Sequence, residues 1–218
     1  MKTFLSIGTG PGMGLATAER FACEGFRVIL SARNETKTKE LAGQLEAKGH
    51  QVGARTVDAA EPSSVAALVS QVESEFAGID VLHFNAASLR KATLADQPRD
   101  TFNYDLAVNV GGAMVAAQAA APHMIARGSG SILFTGGGFG VQPHPDFLSL
   151  SIGKAGIRAL AQGIFGPFRE KGVHVATVTV AGLVMNSNDA NAVAEQFWQL
   201  HSQPGGSWQV ETVYTPAG

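Results

Sequence analysis

Residues 3–26, TFLSIGTGPGMGLATAERFACEGF, run from a short apolar segment through four glycines into an amphipathic pattern. Thr3–Ile7 suits a buried strand, and the apolar residues after Gly14 recur at helical spacing. Gly8, Gly10, Gly12 and Gly14 fill the turn between the two. Such a turn lets backbone N–H groups approach a pyrophosphate, and the N-terminus of the following helix adds partial positive charge. The spacing is Gly8-x-x-x-Gly12-x-Gly14, with Met13 where a G-x-G-x-x-G fingerprint has its third glycine. No Lys-Ser/Thr pair follows, so the turn is not a P-loop.

The alternation seen in this stretch repeats along the chain. Short apolar runs predict strands at Thr3–Ile7, Arg27–Ser31, Gln51–Val57, Val81–Asn85, Ser131–Thr135, Val173–Val180 and Val210–Tyr214. Helical periods lie between them near 12–24, 35–48, 61–76, 99–125, 151–165 and 189–201. Runs such as VILSA and ILFTG are apolar without strict alternation, as in strands covered on both faces. The expected fold is α/β: a doubly wound, Rossmann-type parallel sheet of about seven strands flanked by helices, one domain over 1–218. Ligands of such sheets bind at the carboxyl ends of the strands, where every motif below falls.

Composition narrows the function. Apolar residues make up 45% and charged residues 16% of 218, with a net charge of −2 and no long basic run, so nothing marks a nucleic-acid partner. The N-terminal apolar run is too short for a signal peptide, no later stretch is long enough to span a membrane, and a cytoplasmic protein is expected. The single cysteine, Cys23, excludes an internal disulfide and reads as a small core residue at helical spacing from Phe26. Histidines at 50, 83, 123, 174 and 201 lack metal-ligand spacing, and no metal is expected.

The second strand ends in Ser31, Ala32, Arg33 and Asn34. An acidic residue there would accept from the ribose 2′-OH of NAD. Arg33 instead can hold a 2′-phosphate through charge-assisted hydrogen bonds, which predicts NADP in preference to NAD. The alternative is a solvated arginine opening the next helix.

Together these residues resemble the short-chain dehydrogenase/reductase family through nearly the whole chain. The glycine turn looks like the family's cofactor motif. Asp58 in TVDAAEPSSV matches its adenine-contacting aspartate, and Phe84-Asn85-Ala86-Ala87 stands in place of its Asn-Asn-Ala-Gly element. Asn109 in LAVNVGGA matches the asparagine of its catalytic tetrad. GSILFTGGG resembles the strand that carries the catalytic serine. VTVAGLV resembles the segment lining the nicotinamide, with Ala181 replacing the usual proline. The resemblance implies cofactor contacts at Gly8, Gly10, Gly12, Met13, Gly14, Arg33, Asn34, Asp58, Ala59, Asn85, Ala86, Ala87, Lys154, Gly182 and Val184. It implies catalytic roles for Asn109 and Lys154.

The family's chemistry uses a tyrosine followed four residues later by a lysine. The lysine lowers the phenol's pKa, and the phenol exchanges a proton with the substrate oxygen, which a serine also polarises. In LSLSIGKAGIRAL the lysine is Lys154, the tyrosine position holds Leu150, and the serine position holds Gly137. The chain's two tyrosines, Tyr104 and Tyr214, are not spaced for the role. Ser149 and Ser151 flank Leu150 but point about 100° away on a helix, and either suits a helix N-cap. His144 could reach a substrate from its loop. Lys154 could serve as the acid if an apolar site lowered its pKa; the simpler role is to hold the nicotinamide ribose. Leu183, Met185, Phe197 and Trp198 are candidate apolar walls of an open substrate site.

Two functions follow. One is an NADP-dependent oxidoreductase with an altered proton route; the other is a nucleotide-binding sensor or partner subunit without redox activity. Small residues in GGAMVAAQAAA and GKAGIRALAQG allow close helix contact, and the resemblance implies a homodimer or homotetramer.

Overall fold

The structure, a computed structural model, describes residues 1–216. Its elements in chain order are β1 (Thr3–Ile7), α1 (Met13–Cys23), β2 (Arg27–Ala32), α2 (Glu35–Glu46), β3 (Val52–Thr56), α3 (Pro62–Phe76) and β4 (Val81–Phe84). There follow α4 (Phe102–Leu106), α5 (Gly112–Arg127), β5 (Gly130–Thr135), α6 (Leu148–Arg169), β6 (Val173–Val180), α7 (Ser187–Ser202) and β7 (Glu211–Tyr214). The seven strands form one sheet in the order β3-β2-β1-β4-β5-β6-β7, every pair parallel. The order reverses between β1 and β4, which opens a crevice at their carboxyl ends.

Two apolar clusters explain why the strands are apolar without alternation. One packs α3, α5 and α6 on one face through Val65, Val69, Ala116, Ala120, Ile157 and Phe134. The other packs α1, α2 and α7 on the opposite face through Phe4, Phe21, Leu45, Leu133 and Phe197. Strands β1, β2, β4, β5 and β6 each feed side chains to both.

The strands match their expected places to within two residues, but two helices differ. The helix expected at 99–125 starts at Phe102, after a turn in which Thr101 N–H donates to Pro98 O, and a π turn at Ala107–Gly111 joins α4 to α5. The helix expected at 151–165 runs from Leu148 to Arg169, and Pro167 lies within its last turns.

Three smaller expectations are corrected. Cys23 is exposed, because α1 ends there and Gly25, at φ 81°, turns the chain before Phe26 re-enters the core. Phe197 is fully buried, with its ring centroid 4.6 Å from His83, and Trp198 packs edge-on to Phe21; both belong to the core rather than to a substrate wall. Leu183 and Met185, by contrast, are exposed on the loop after β6.

Candidate dinucleotide and reaction site

The glycine turn leaves β1 for the N-terminus of α1. Gly8 has φ 84°, and a Cβ there would overlap the Ala86 backbone, so the turn lies directly on the loop after β4. A Cβ on Gly10 or Gly12 would meet nothing within 4 Å, so that side of the turn is open. Gly12 caps α1 without a side-chain hydrogen bond, and the first turn carries no acidic residue. An anion is what such an uncapped end attracts.

A cleft of about 180 Å³ continues from the turn, lined by Gly8, Gly10, Arg33, Asp58, Ala59, Ala86 and Ala87 among others. Asp58 Oδ1 accepts from Ala60 N–H at 2.9 Å, which fixes the carboxylate at the rim. Arg33 reaches across the mouth to the Tyr104 hydroxyl. Asn34 does not face the cleft; its Oδ1 accepts from Lys37 N–H at 2.9 Å and caps α2. Met13 and Val184 are half-buried and pack against the second cluster. Gly182 takes φ 157° beside Pro216.

Asn85 supports the turn instead of lining the cleft. Its Nδ2 donates to Gly8 O at 2.8 Å, and its Oδ1 accepts from Thr135 Oγ1 at 2.9 Å. Thr135 Oγ1 in turn lies 3.1 Å from His83 Nε2, His83 Nδ1 lies 3.4 Å from Ser6 Oγ, and Thr9 Oγ1 donates to Ser6 Oγ at 2.9 Å. These bonds close in one direction only, from the Thr9 hydroxyl to Gly8 O, with His83 neutral and its proton on Nε2. Burial, helped by the charge of Lys154, pushes the His83 pKa down to about 3, so the ring stays neutral. Sequence reasoning missed this chain, since a histidine in VLHFN carries no local signal.

Lys154 comes from the first turns of α6 and is buried, 8% exposed. Its Nζ donates to Thr135 O at 2.6 Å. That leaves donors of the ammonium available to a ligand. Burial pushes its pKa down to about 8. Gly137 lies against its stem; a Cβ there would stand 3.2 Å from Lys154 Cγ. Leu150, one helical turn before Lys154 on the same face, is buried. Gly137 and Lys154 are thus in contact, with Leu150 one turn earlier on the lysine's face of α6.

Asn109 sits in the π turn, a distortion frequent at functional sites. Its Oδ1 accepts from Ser88 N–H at 2.6 Å and its Nδ2 donates to Ser88 O at 3.3 Å, which pins the loop after β4. A Cβ on Gly153 of α6 would overlap Asn109, so α6 packs closely here. Next to it lies the fully buried Asp105, accepting from Ser88 Oγ at 2.6 Å, Arg90 Nε at 2.7 Å and Ser149 Oγ at 2.9 Å. The N-cap reading of the two serines fails. Phe147 caps α6, Ser149 bonds Asp105, and Ser151 Oγ donates to Phe147 O at 2.8 Å.

Burial opposes the Asp105 charge, but Arg90 and the two hydroxyls outweigh it and hold the carboxyl below its ordinary pKa. Asp105→Ala is expected to cost about 2–4 kcal/mol, because Arg90 and two hydroxyls lose their acceptor. Thermal unfolding should show a Tm lower by roughly 5–15 °C at neutral pH. The aspartate's own contribution is present above the ordinary aspartate pKa and is lost as pH falls through the lowered one. The difference between variant and parent should therefore narrow in acid.

A parallel sheet with its order reversed beside an uncapped glycine turn, an arginine-rimmed cleft and a buried lysine at the next strand end define a dinucleotide-binding α/β protein. The chain belongs to the short-chain dehydrogenase family, whose model matches residues 2–196. Gluconate 5-dehydrogenase of Gluconobacter oxydans (strain 621H) is 26% identical over 210 residues, which cover 95% of this chain and 82% of that protein. A solved short-chain dehydrogenase from Rhodopseudomonas palustris is similar at TM-score 0.91 and 29% identity, over 99% of both chains. A metagenomic short-chain oxidoreductase in complex with NADP shares the fold at TM-score 0.92 and 24% identity, over 99% of this chain and 97% of that one. The family is one of oxidoreductases that use a nicotinamide cofactor. Among the described residues, no helix is long and apolar enough to cross a membrane, and no group of three metal-binding side chains occurs.

Proposed function

We propose that the chain is an NADP-dependent oxidoreductase whose proton route differs from the tyrosine-and-serine route of its family. The observation that carries this reading is Lys154 of α6, buried beside the end of β5 with Thr135 O its only bonded acceptor among the described residues, while Gly137 lies against its stem and Leu150 one turn before it. Lys154 would hold the nicotinamide ribose, the turn of Gly8–Gly14 the pyrophosphate, and Asp58 with Ala59 the adenine end. Bound there, the cofactor supplies hydride. The chain orients it and leaves the proton to another source.

Arg33 at the cleft mouth supports NADP over NAD, since a 2′-phosphate would meet its guanidinium. Calorimetric titration should give tighter binding of NADPH than of NADH. Arg33→Ala is expected to weaken NADPH about 10- to 100-fold, the range of a charge-assisted hydrogen bond, with NADH little changed. Equal effects on the two would refute the preference, and no binding of either would sink the cofactor assignment.

The joint presence of Gly137 and Leu150 favours a second reading, a nucleotide-binding sensor or partner subunit. Tight NADPH binding with no oxidation against aldehydes, ketones and quinones would leave that reading alone. In either case we place the chain in the cytoplasm, where the exposed lone thiol of Cys23 stays reduced.

A homodimer or homotetramer is proposed through α5 and α6, whose faces carry exposed Met114 and Ile152 beside small residues. Light scattering should show an assembly; a species of 22.6 kDa alone would reject it.

A further inference from the structure

Among the described residues ten large apolar side chains are exposed, and five of them lie on three loops. Leu89 and Leu94 follow β4, Val141 follows β5, and Leu183 and Met185 follow β6. Because β4, β5 and β6 are adjacent and parallel, these loops leave the same edge of the sheet, at the reaction end of the crevice. Singly scattered apolar residues need no explanation; five gathered around one site do.

The loops after β4 and β5 are tied together. Ala92 N–H donates to Asp146 O at 2.7 Å, and Ala92 pairs with Phe147 in an isolated bridge. The loop after β5 carries three half-buried rings. Phe139 and Phe147 are nearly parallel at 24° with centroids 5.5 Å apart, and His144 lies 5.2 Å from the first and 5.5 Å from the second. His144 Nδ1 accepts from Asp146 N–H at 3.1 Å. The ring thus offers an aromatic face, with its Nδ1 side taken up by the loop backbone. Of the three basic side chains on the loops, Arg90 is engaged by Asp105, and Lys91 and Arg99 extend into solvent. The surface suits a flat, apolar, uncharged molecule.

The missing donors narrow that molecule further. Reducing a simple ketone leaves an alkoxide, about as strong a base as hydroxide. Reducing a quinone leaves a phenolate, whose phenol has a pKa of ≈ 10. The second anion is a weaker base by a factor of roughly 10⁵, so it can form without a side-chain hydroxyl to protonate it. Positions 137 and 150 carry none.

We propose that the substrate class of this site is a planar, apolar quinone, seated on the Phe139–His144–Phe147 shelf inside the apolar rim. The assignment rests on the oxidoreductase reading given above. The step balances as quinone plus NADPH plus H⁺ giving hydroquinone plus NADP⁺. Hydride brings two electrons to the quinone ring system, and the oxygen left as phenolate takes its proton from water.

The test pairs a binding readout with a kinetic one, using 1,4-naphthoquinone and 1-tetralone, a fused-ring ketone of the same size. Titration of naphthoquinone into the NADP⁺-loaded protein, which cannot turn over, should show binding that Leu183→Ser combined with Met185→Ser weakens several-fold. With NADPH, kcat/KM for naphthoquinone, corrected for the rate without protein, should exceed that for tetralone by at least ~100-fold. No binding of naphthoquinone overturns the proposal. Reduction of tetralone as fast as of naphthoquinone also overturns it, yet leaves the oxidoreductase reading intact. Naphthoquinone that binds while neither compound is reduced overturns both.

Discussion

Leu150→Tyr combined with Gly137→Ser is expected to raise ketone reduction by ~10²–10⁴-fold in kcat/KM, the usual contribution of a positioned general acid. Position 150 precedes Lys154 by one helical turn, so a phenol there would lie on the lysine's own face of α6. An ammonium beside a phenol favours the phenolate and lowers its pKa toward neutrality. Gly137 accepts the exchange readily. Its φ of −170° is extended backbone open to any residue, and the new Cβ would meet Lys154 Cγ at 3.2 Å, the flexible part of a stem. The buried site of Leu150 is tighter for a larger ring, so a thermal melt must accompany the kinetics. The gain should fall mostly on Leu150→Tyr, and the pH–rate profile should acquire a new limb from the phenol. A folded double variant that binds NADPH yet reduces ketones no faster would show that the nicotinamide end of the site is not arranged for hydride transfer. It would favour the sensor reading.

That experiment depends on features legible in the sequence for an identifiable reason. The glycine turn, the strand ends and the Leu150–Lys154 spacing are local patterns, and the parallel sheet leaves local patterns intact. What was not legible depends on register between distant strands. Ser6 faces His83 because β1 and β4 pair in that register, and Thr135 arrives from β5. No window of sequence contains all three. Asn85 was expected among the cofactor contacts, but its amide is taken up at both ends by Gly8 O and Thr135 Oγ1. Ser149 was misread for the same reason. Its acceptor, Asp105, lies 44 positions earlier, and only the packing of α4 against α6 brings them together. Cys23 failed more simply, since helical spacing to Phe26 has no meaning once the helix ends at residue 23.

Lys154→Met is expected to stabilise the fold while weakening the ligand. Lys154 carries its charge with 8% exposure, and burial alone moves its pKa from 10.5 to about 8. At pH 7 the amine is protonated in both folded and unfolded chains, so the folded state bears the full desolvation cost, about 3 kcal/mol at 1.36 kcal/mol per unit. Methionine keeps the length of the stem and removes the charge, and Tm should rise by roughly 5–10 °C. The sign with pH follows from linkage. The unfolded lysine binds more protons than the folded one between pH 8 and 10.5, so the parent gains stability across that window. The gap between variant and parent should therefore be full below pH 8 and close by about pH 10.5. NADPH affinity should move the other way, falling about 10- to 100-fold as a charged donor to the ribose is lost. A lysine kept only for structure cannot give opposite signs for fold and ligand. If Tm falls instead, the bond to Thr135 O outweighs desolvation, and Lys154 braces β5 against α6 before it binds anything.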